Sequence, residues 1–370
     1  MDNQTKTEKL KKLQKLSEKI NDKLGKNIIK KASEHVVKRV NTGIMFLDYL
    51  SDGFPAGSRI QIWGEKQSAK SSLVYAMIAG IQRQNGVAMY LDFEHAADPE
   101  YMKTFGINMD ELFFTQPENM EQGLDFVRAA NGNVDMLIID SIVALGIKAD
   151  QDKAMDENMK MAGSALKISE FFKQLLGTLN SETSPVLVFI NQTRSNVGVM
   201  YGPTSTFSGG NALAHALDFS IHMRCMSQKE WPTTKVNGKD VFIGKRYMVK
   251  VDKSKINANT GKEIAFNMLT EGEHIDNIGS ITDIALEKGL IVRSGVTTSY
   301  NGIKFVGFDN FKNFVNQTPE LQEIMKNHIL KGEDPGDLSY FQNKKEEKPK
   351  EEIKEEIKEE VVEKKSKKKK

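Results

Sequence analysis

Between Val40 and about Met268 the chain alternates short apolar runs with longer segments of helical period. The runs are "RIQIW" (59–63), "VAMYL" (87–91), "MLIID" (136–140), "VLVFI" (186–190) and "YMVKVD" (247–252). The first four lack the apolar–polar alternation of a strand with one wet face, so they read as parallel strands covered on both sides. Helical segments of crossover length separate them and predict an α/β domain built around a mostly parallel sheet. In such a sheet ligands sit beyond the carboxyl ends of the strands, and the polar motifs of this chain follow those ends directly.

The flanks read differently. Residues 7–31 put Leu10, Leu13, Leu16, Ile20 and Leu24 on one helical face among lysines and glutamates, with Gly25 as the stop. That stripe suits packing on the chain's own core or on a neighbouring subunit, and periodicity leaves both open. Residues 274 to about 335 mix helical and short strand patterns and predict a compact α+β appendage. From Asn343 the chain is mostly glutamate and lysine and has no means of forming a core. It reads as a disordered tail or a solvated single helix, with nucleic-acid contact by the closing "KKSKKKK" as the alternative. The expected divisions are 1–38 (N-terminal helical segment), 39–270 (α/β core), 271–336 (small α+β domain) and 337–370 (charged tail).

Composition narrows the class only a little. A chain of 370 residues has room for a large core domain and smaller attachments. The formal net charge of +2 says nothing about partners, because charges of either sign can still be segregated. The single cysteine, Cys225, rules out an internal disulfide and a cysteine-rich zinc site, which favours a reducing compartment. Cys225 itself is expected to be a small core residue. Neither a leader-like apolar stretch nor a run of membrane-spanning length occurs, and a cytoplasmic location is expected.

The candidate chemistry begins where the first strand ends. Gly64 is followed by Glu65, Lys66, Gln67, Ser68, Ala69, Lys70, Ser71 and Ser72, then an apolar helical run. This spacing fits the phosphate-binding loop G-x-x-x-x-G-K-[ST], except that Ala69 stands where the second glycine belongs. Backbone N–H groups at the helix N-terminus would cradle phosphates, Lys70 would supply charge, and Ser71 a ligand for Mg²⁺. Ala69 is harmless if its φ is negative and strained if it is positive. Asp140 closes a buried strand and would hold the water shell of the same cation. Glu94, just past the strand at 87–91, is placed to orient and deprotonate an attacking water. Asp92 reads as a local structural carboxylate and His95 as a packing or hydrogen-bonding histidine. One turn on lie Asp98 and Tyr101, whose ring could cover an adenine face.

The strand at 186–190 ends in Asn191–Gln192, and an amide there could sense a γ-phosphate and pass the signal onward. The following segment, Thr193 to Gly210, is rich in Gly, Ser, Thr and Asn and too long for a simple connection. Gly209–Gly210 open a helix, a seat for an anion. Residues 147–161 are similarly polar, and in the helix beyond them Ser169 and Lys173 share a face. Arg194, Lys173 and the Gly209–Gly210 amides could line a nucleic-acid backbone. The alternative is two surface loops and a solvated helix.

In their order and spacing, "DFEHAADPEY", "IIDSIVAL", "FINQTR", "GVMYG" and "GGNAL" resemble the RecA-type recombinases, a group that includes phage recombinases of the UvsX kind. The resemblance runs over roughly residues 8 to 335, taking in "LDYLSDGFPAGSRIQIWG", "VKVDKSKIN" and "EKGLIVRSGVTTSYNG". It implies a RecA-like P-loop ATPase core, a small C-terminal α+β domain, and an N-terminal helix that docks on an adjacent protomer to build an open helical filament. ATP and Mg²⁺ are the implied cofactors. Lys70 and Ser71 would bind the phosphates and the cation, Asp140 would support the metal, and Glu94 would activate the water. Asp98 and Tyr101 would contact adenine, Gln192 would couple the γ-phosphate to the DNA loop, and Lys253 and Lys255 would reach the neighbouring subunit's ATP. Met161, Arg194, Val197, Gly209, Gly210 and Asn211 would contact single-stranded DNA, with Ser169 and Lys173 at its backbone. The implied activity is that of a DNA-dependent ATPase that coats single-stranded DNA, pairs it with homologous duplex and exchanges strands. Single-strand-binding and loading proteins are further implied partners.

The chain departs from the family pattern at Ala69, and at Ala214 and His215, where bacterial RecA carries a lysine and a phenylalanine. It also ends in lysines instead of an acidic tail. Two other readings use the same core: a ring-shaped DNA motor, and a non-catalytic mediator with a vestigial nucleotide site.

Overall fold

The computed structural model describes residues 3–25, 29–34, 36–144, 168, 170–175, 183–195, 205–207, 210–336, 338, 340 and 341. It divides into two compact units, 1–39 and 40–370. In the first, α1 (Asn3–Leu24) carries the apolar stripe, and Leu10, Leu13, Leu16 and Leu24 are each more than half exposed. The helix stops at Gly25, which takes a left-handed φ of 60°. Beyond it the chain turns back, and the Asn21 side chain exchanges two hydrogen bonds with the backbone of Ile29, both 3.0 Å.

The second unit opens with α2 (Met45–Ser51) and β1 (Arg59–Gly64), followed by α3 (Lys70–Arg83), β2 (Ala88–Asp92), α4 (Pro99–Thr104), β3 (Leu112–Thr115), α5 (Met120–Ala130) and β4 (Met136–Asp140). Then come β5 (Val186–Ser195), β6 (Ser205–Phe207), α6 (Gly210–Ala216) and β7 (Phe219–Cys225). A ribbon, β8 (Thr233–Val236) and β9 (Lys239–Phe242), precedes the long strands β10 (Gly244–Ser254) and β11 (Glu263–Leu269). The main sheet has the order β11–β10–β7–β1–β5–β4–β2–β3, with β6 paired to the far end of β5. From β7 to β3 all neighbours are parallel, while β10 and β11 add antiparallel at one edge. This is the α/β architecture that the apolar runs predict.

The central runs are mainly apolar because their strands bury both faces, and Gln61, the polar residue inside β1, is buried with them. Ile60, Ile62, Tyr90, Ile138, Val188 and Ile190 meet Leu73, Met77 and Ile81 of α3 in one layer. On the other side Leu91, Leu137, Ile139, Leu187 and Phe189 meet Leu124 and Val127 of α5 together with Phe171, Phe172 and Leu175. The fit of α3 is close at its far end. A Cβ built on Gly80 would lie 1.8 Å from the carbonyl oxygen of Thr42, so only glycine fits there.

The C-terminal part contains α7 (Asn277–Glu287), a three-stranded antiparallel sheet of β12 (Ile291–Ser294), β13 (Thr297–Tyr300) and β14 (Ile303–Val306), then α8 (Phe308–Asn316) and α9 (Pro319–Lys331). Asn277 ties it to the core by accepting from the backbone N–H of Met45 at 3.0 Å. Leu338 and Phe341 are buried with this part, so apolar packing continues past the expected boundary at residue 336. Cys225 is a second departure from expectation. It is exposed, because the last residues of β7 run beyond the cover that buries Met223. None of the helices among the described residues is long and apolar enough to cross a membrane.

Candidate nucleotide site

Parallel register brings the polar motifs to one edge of the sheet. Gly64 of β1 lies opposite Gln192 of β5, and Asp92 of β2 opposite Asp140 of β4. Between β1 and α3 the chain forms a tight loop. A Cβ on Gly64 would stand 2.1 Å from the carbonyl oxygen of Met223, so the loop needs glycine at its start. Gln67 and Ala69 take left-handed φ values of 62° and 61°. Ala69 therefore adopts the strained alternative, the conformation a glycine would hold freely, at a cost of about 1–2 kcal/mol.

Lys70 closes the loop on itself. Its Nζ donates to the carbonyl oxygens of Gly64 (3.1 Å) and Glu65 (2.7 Å) and to Ser68 Oγ (3.3 Å). Burial lowers the pKa of this ammonium, and the nearby carboxylates Asp140 and Glu94 act against that shift. Glu65, Lys66 and Gln67 point outward, while Ser68 is buried. The first turn of α3 then presents Ser71, whose Oγ donates to Asp140 Oδ2 at 3.1 Å. The Tyr90 hydroxyl donates to the same oxygen at 2.6 Å. Burial pushes the Asp140 carboxyl up to about 6; the bond from Tyr90 pulls it back, and Glu94 pushes it further up.

Glu94 stands just past β2, and its Oε1 accepts from Ser141 Oγ and from Gln192 Nε2, the latter at 3.2 Å. Asp92 is buried and accepts from the Ala97 N–H and the Gln116 amide, which is the structural role its position suggests. His95 is exposed at a φ of 54° and does not pack into the core. Asp98 caps α4 by accepting from the Glu100 N–H at 2.9 Å. Tyr101, on the same helix, shares a hydrogen bond with Ser72 Oγ at 3.2 Å and sets its ring edge-on against Phe105.

Lys253 and Lys255 sit on β10 and just after it, and both hold the end of α6. Lys253 Nζ donates to the Ala214 carbonyl, and Lys255 Nζ to the His215 carbonyl at 2.9 Å. Lys255 also lies 3.6 Å from Asp218, whose carboxylate takes the Arg59 guanidinium through Nε (2.7 Å) and Nη2 (2.9 Å). Lys173 is exposed in the helical stretch 170–175. Arg194 falls in β5, and Gly210 and Asn211 in the first turn of α6. Met161, Ser169, Val197 and Gly209 lie outside the described residues.

Sequence reasoning passed over two residues, Tyr90 and Ser141. Tyr90 had a signal, because a hydroxyl inside an otherwise apolar buried run needs a partner. Ser141 had none beyond its place after Asp140. The donor set suits the groups that sequence reading points to. A hydroxyl and a carboxylate are hard oxygen donors of the kind Mg²⁺ prefers, and a glycine-led loop at a helix N-terminus suits a phosphate.

This loop, its strand-end aspartate and the sheet order are those of a P-loop nucleotide-binding α/β protein. Comparison with known proteins narrows the class: residues 11–275 match the family described as the RecA N-terminal domain. The chain is 35% identical over 332 residues to Protein RecA of Bacteroides thetaiotaomicron, covering 88% of this chain and 97% of the relative. Against Protein RecA of Cytophaga hutchinsonii it is 35% identical over 324 residues, 85% and 88% of the two chains. Against that of Clostridium beijerinckii it is 32% identical over 330 residues, 87% and 88%. The chain belongs to the RecA family, the recombinase family that its motifs resemble.

Proposed function

We propose that this chain is an ATP-dependent recombinase of recombination and repair, which coats single-stranded DNA, pairs it with homologous duplex and exchanges strands. The observation that carries the reading is the hydrogen bond between Gln192 and Glu94, on the sheet edge that also presents Lys70, Ser71 and Asp140.

Lys70 and the first N–H groups of α3 would hold the ATP phosphates, with Ser71 and Asp140 as the Mg²⁺ donors. Bound Mg²⁺ supplies charge neutralisation at the phosphate oxygens. Glu94 orients a water and takes its proton as the water attacks the γ-phosphorus, and the bond to the β–γ bridging oxygen breaks to release ADP. Asp98 and Tyr101 would flank the base. Gln192 shares Glu94 and opens the segment that leads to Arg194, Val197 and the Gly209–Asn211 turn. A change at the γ-phosphate is thereby felt where single-stranded DNA would bind, together with Met161, Ser169 and Lys173. Recognition runs through backbone charge, and base pairing checks the sequence. Residues 1–38 serve as the polymerisation segment of a cytoplasmic filament, and Lys253 and Lys255 turn from α6 to a neighbour's ATP.

The test is ATP turnover by the wild type and Glu94→Gln, with and without single-stranded DNA. The expected result is DNA-stimulated turnover that falls about a hundredfold or more in the variant. Wild-type DNA binding without turnover would instead identify an accessory DNA-binding protein. Electron microscopy with a non-hydrolysable ATP analogue and DNA should show open filaments; closed rings would favour the motor.

A further inference from the structure

Asp140 is held by a residue outside the phosphate-loop motif. Tyr90 sits in the middle of β2, fully buried with its ring stacked on Phe114, and its hydroxyl lies 2.6 Å from Asp140 Oδ2. A phenylalanine would fill the same space with no polar group to satisfy, so the hydroxyl is present at a desolvation cost that only a good partner offsets. Its ring is backed by Tyr75 of α3, with centroids 5.9 Å apart, and Tyr75 stands one helical turn beyond Ser71. Ser71 donates to the same carboxylate oxygen at 3.1 Å. Both hydrogen bonds converge on Oδ2. Among the described residues, no hydrogen bond reaches Oδ1.

Two donors on one oxygen fix the plane of a carboxylate, whereas one donor leaves it free to swing about its Cβ–Cγ bond. We propose that Tyr90 is a positioning residue for Asp140: its hydroxyl locks Oδ2 and reserves Oδ1 for the water shell of the nucleotide-bound divalent cation. The inference rests on the nucleotide reading above. Tyr90 touches neither nucleotide nor cation and acts through Asp140 alone. Outer partners that orient a metal-side carboxylate tune cation affinity in this way.

The experiment is a Mg²⁺ titration of fluorescent ATP-analogue binding to the full-length protein, for the wild type, Tyr90→Phe and Tyr75→Phe. Tyr90→Phe should raise the Mg²⁺ midpoint about tenfold while nucleotide affinity at saturating Mg²⁺ stays within about twofold. Tyr75→Phe keeps the ring contact and the Tyr90–Asp140 bond but removes a hydroxyl that pairs with Tyr90, and should shift the midpoint less than Tyr90→Phe does. In an Asp140→Asn background the added Tyr90→Phe change should leave the midpoint where it is. An unshifted midpoint in Tyr90→Phe, an equal loss of affinity at saturating Mg²⁺, or a full Tyr90→Phe effect without the aspartate would each overturn the inference. A wild type that binds no nucleotide would overturn the nucleotide reading itself, and this inference with it.

Discussion

Gln192 Nε2 donates to Glu94 Oε1 across 3.2 Å, although β5, which carries Gln192, and β2, which Glu94 follows, are separated in the sheet by β4. The bond spans the strand whose end holds Asp140, so Glu94, Asp140 and Gln192 form one row. Gln192→Ala cuts this row without touching the phosphate loop. Its expected effect is to reduce DNA-stimulated turnover to the DNA-free rate while that basal rate stays within a few-fold of wild type. Steady-state ATP hydrolysis with and without single-stranded DNA checks it.

Ala69 holds a backbone conformation that disfavours its Cβ. Ala69→Gly should remove about 1 kcal/mol of strain and raise the melting temperature by about 2–4 °C. Thermal unfolding of the nucleotide-free protein measures this. A lower melting temperature would mean that the methyl's packing outweighs the strain.

Asp48 gives a pH dependence of determined sign. Its buried carboxyl accepts from Thr42 N–H (2.7 Å), Thr42 Oγ1 (2.8 Å) and Gly43 N–H (3.0 Å). Burial nevertheless raises its pKa from 3.8 to about 6. Between these values the folded state binds more protons than the unfolded chain. The contribution of this group is therefore complete below about pH 4 and is lost as pH rises through about 6, by roughly 3 kcal/mol. Asp48→Asn should lack this part of the stability–pH slope, read from urea unfolding across that range.

Asp218 gathers the Arg59 backbone N–H at 3.1 Å, the Arg59 guanidinium and the Lys255 ammonium on a largely buried carboxylate. Asp218→Ala leaves two cations and an N–H without that acceptor, and should cost roughly 2–4 kcal/mol in chemical denaturation. Because Lys255 also holds the end of α6, limited proteolysis near residue 216 should quicken in the same variant.

Lys173 is exposed on its helix and lies on the proposed DNA path. Lys173→Ala should weaken single-stranded DNA binding evenly across sequences and reduce the salt slope by about one unit. Fluorescence anisotropy at several salt concentrations decides it, and an unchanged slope would remove Lys173 from the path.

The sheet was readable because doubly buried strands leave continuous apolar runs, and the row of polar residues was readable because it follows their ends. What escaped depends on geometry that a linear pattern does not carry. The φ of Ala69 belongs to the tight loop between β1 and α3, and an alanine in that position does not announce it. Lys253 and Lys255 announce a charge, but only the antiparallel placement of β10 beside β7 brings them to the carbonyls of α6. Cys225 looks like a core residue until the length of β7 carries it past the core. Leu338 and Phe341 are two apolar residues at the start of a charged stretch, and their burial follows from the fold of the preceding domain.

Gly80 and Lys70 lie near opposite ends of α3, about 15 Å apart along its axis. A helix of this length moves as a rod, so a side chain at position 80 pressed against Thr42 would pivot the phosphate loop at the other end. A genetic screen for loss of ATP use should therefore return alleles at Gly80, which no nucleotide contacts. Their second-site suppressors should map to residues 41–43, where room can be made, and not to the loop that fails.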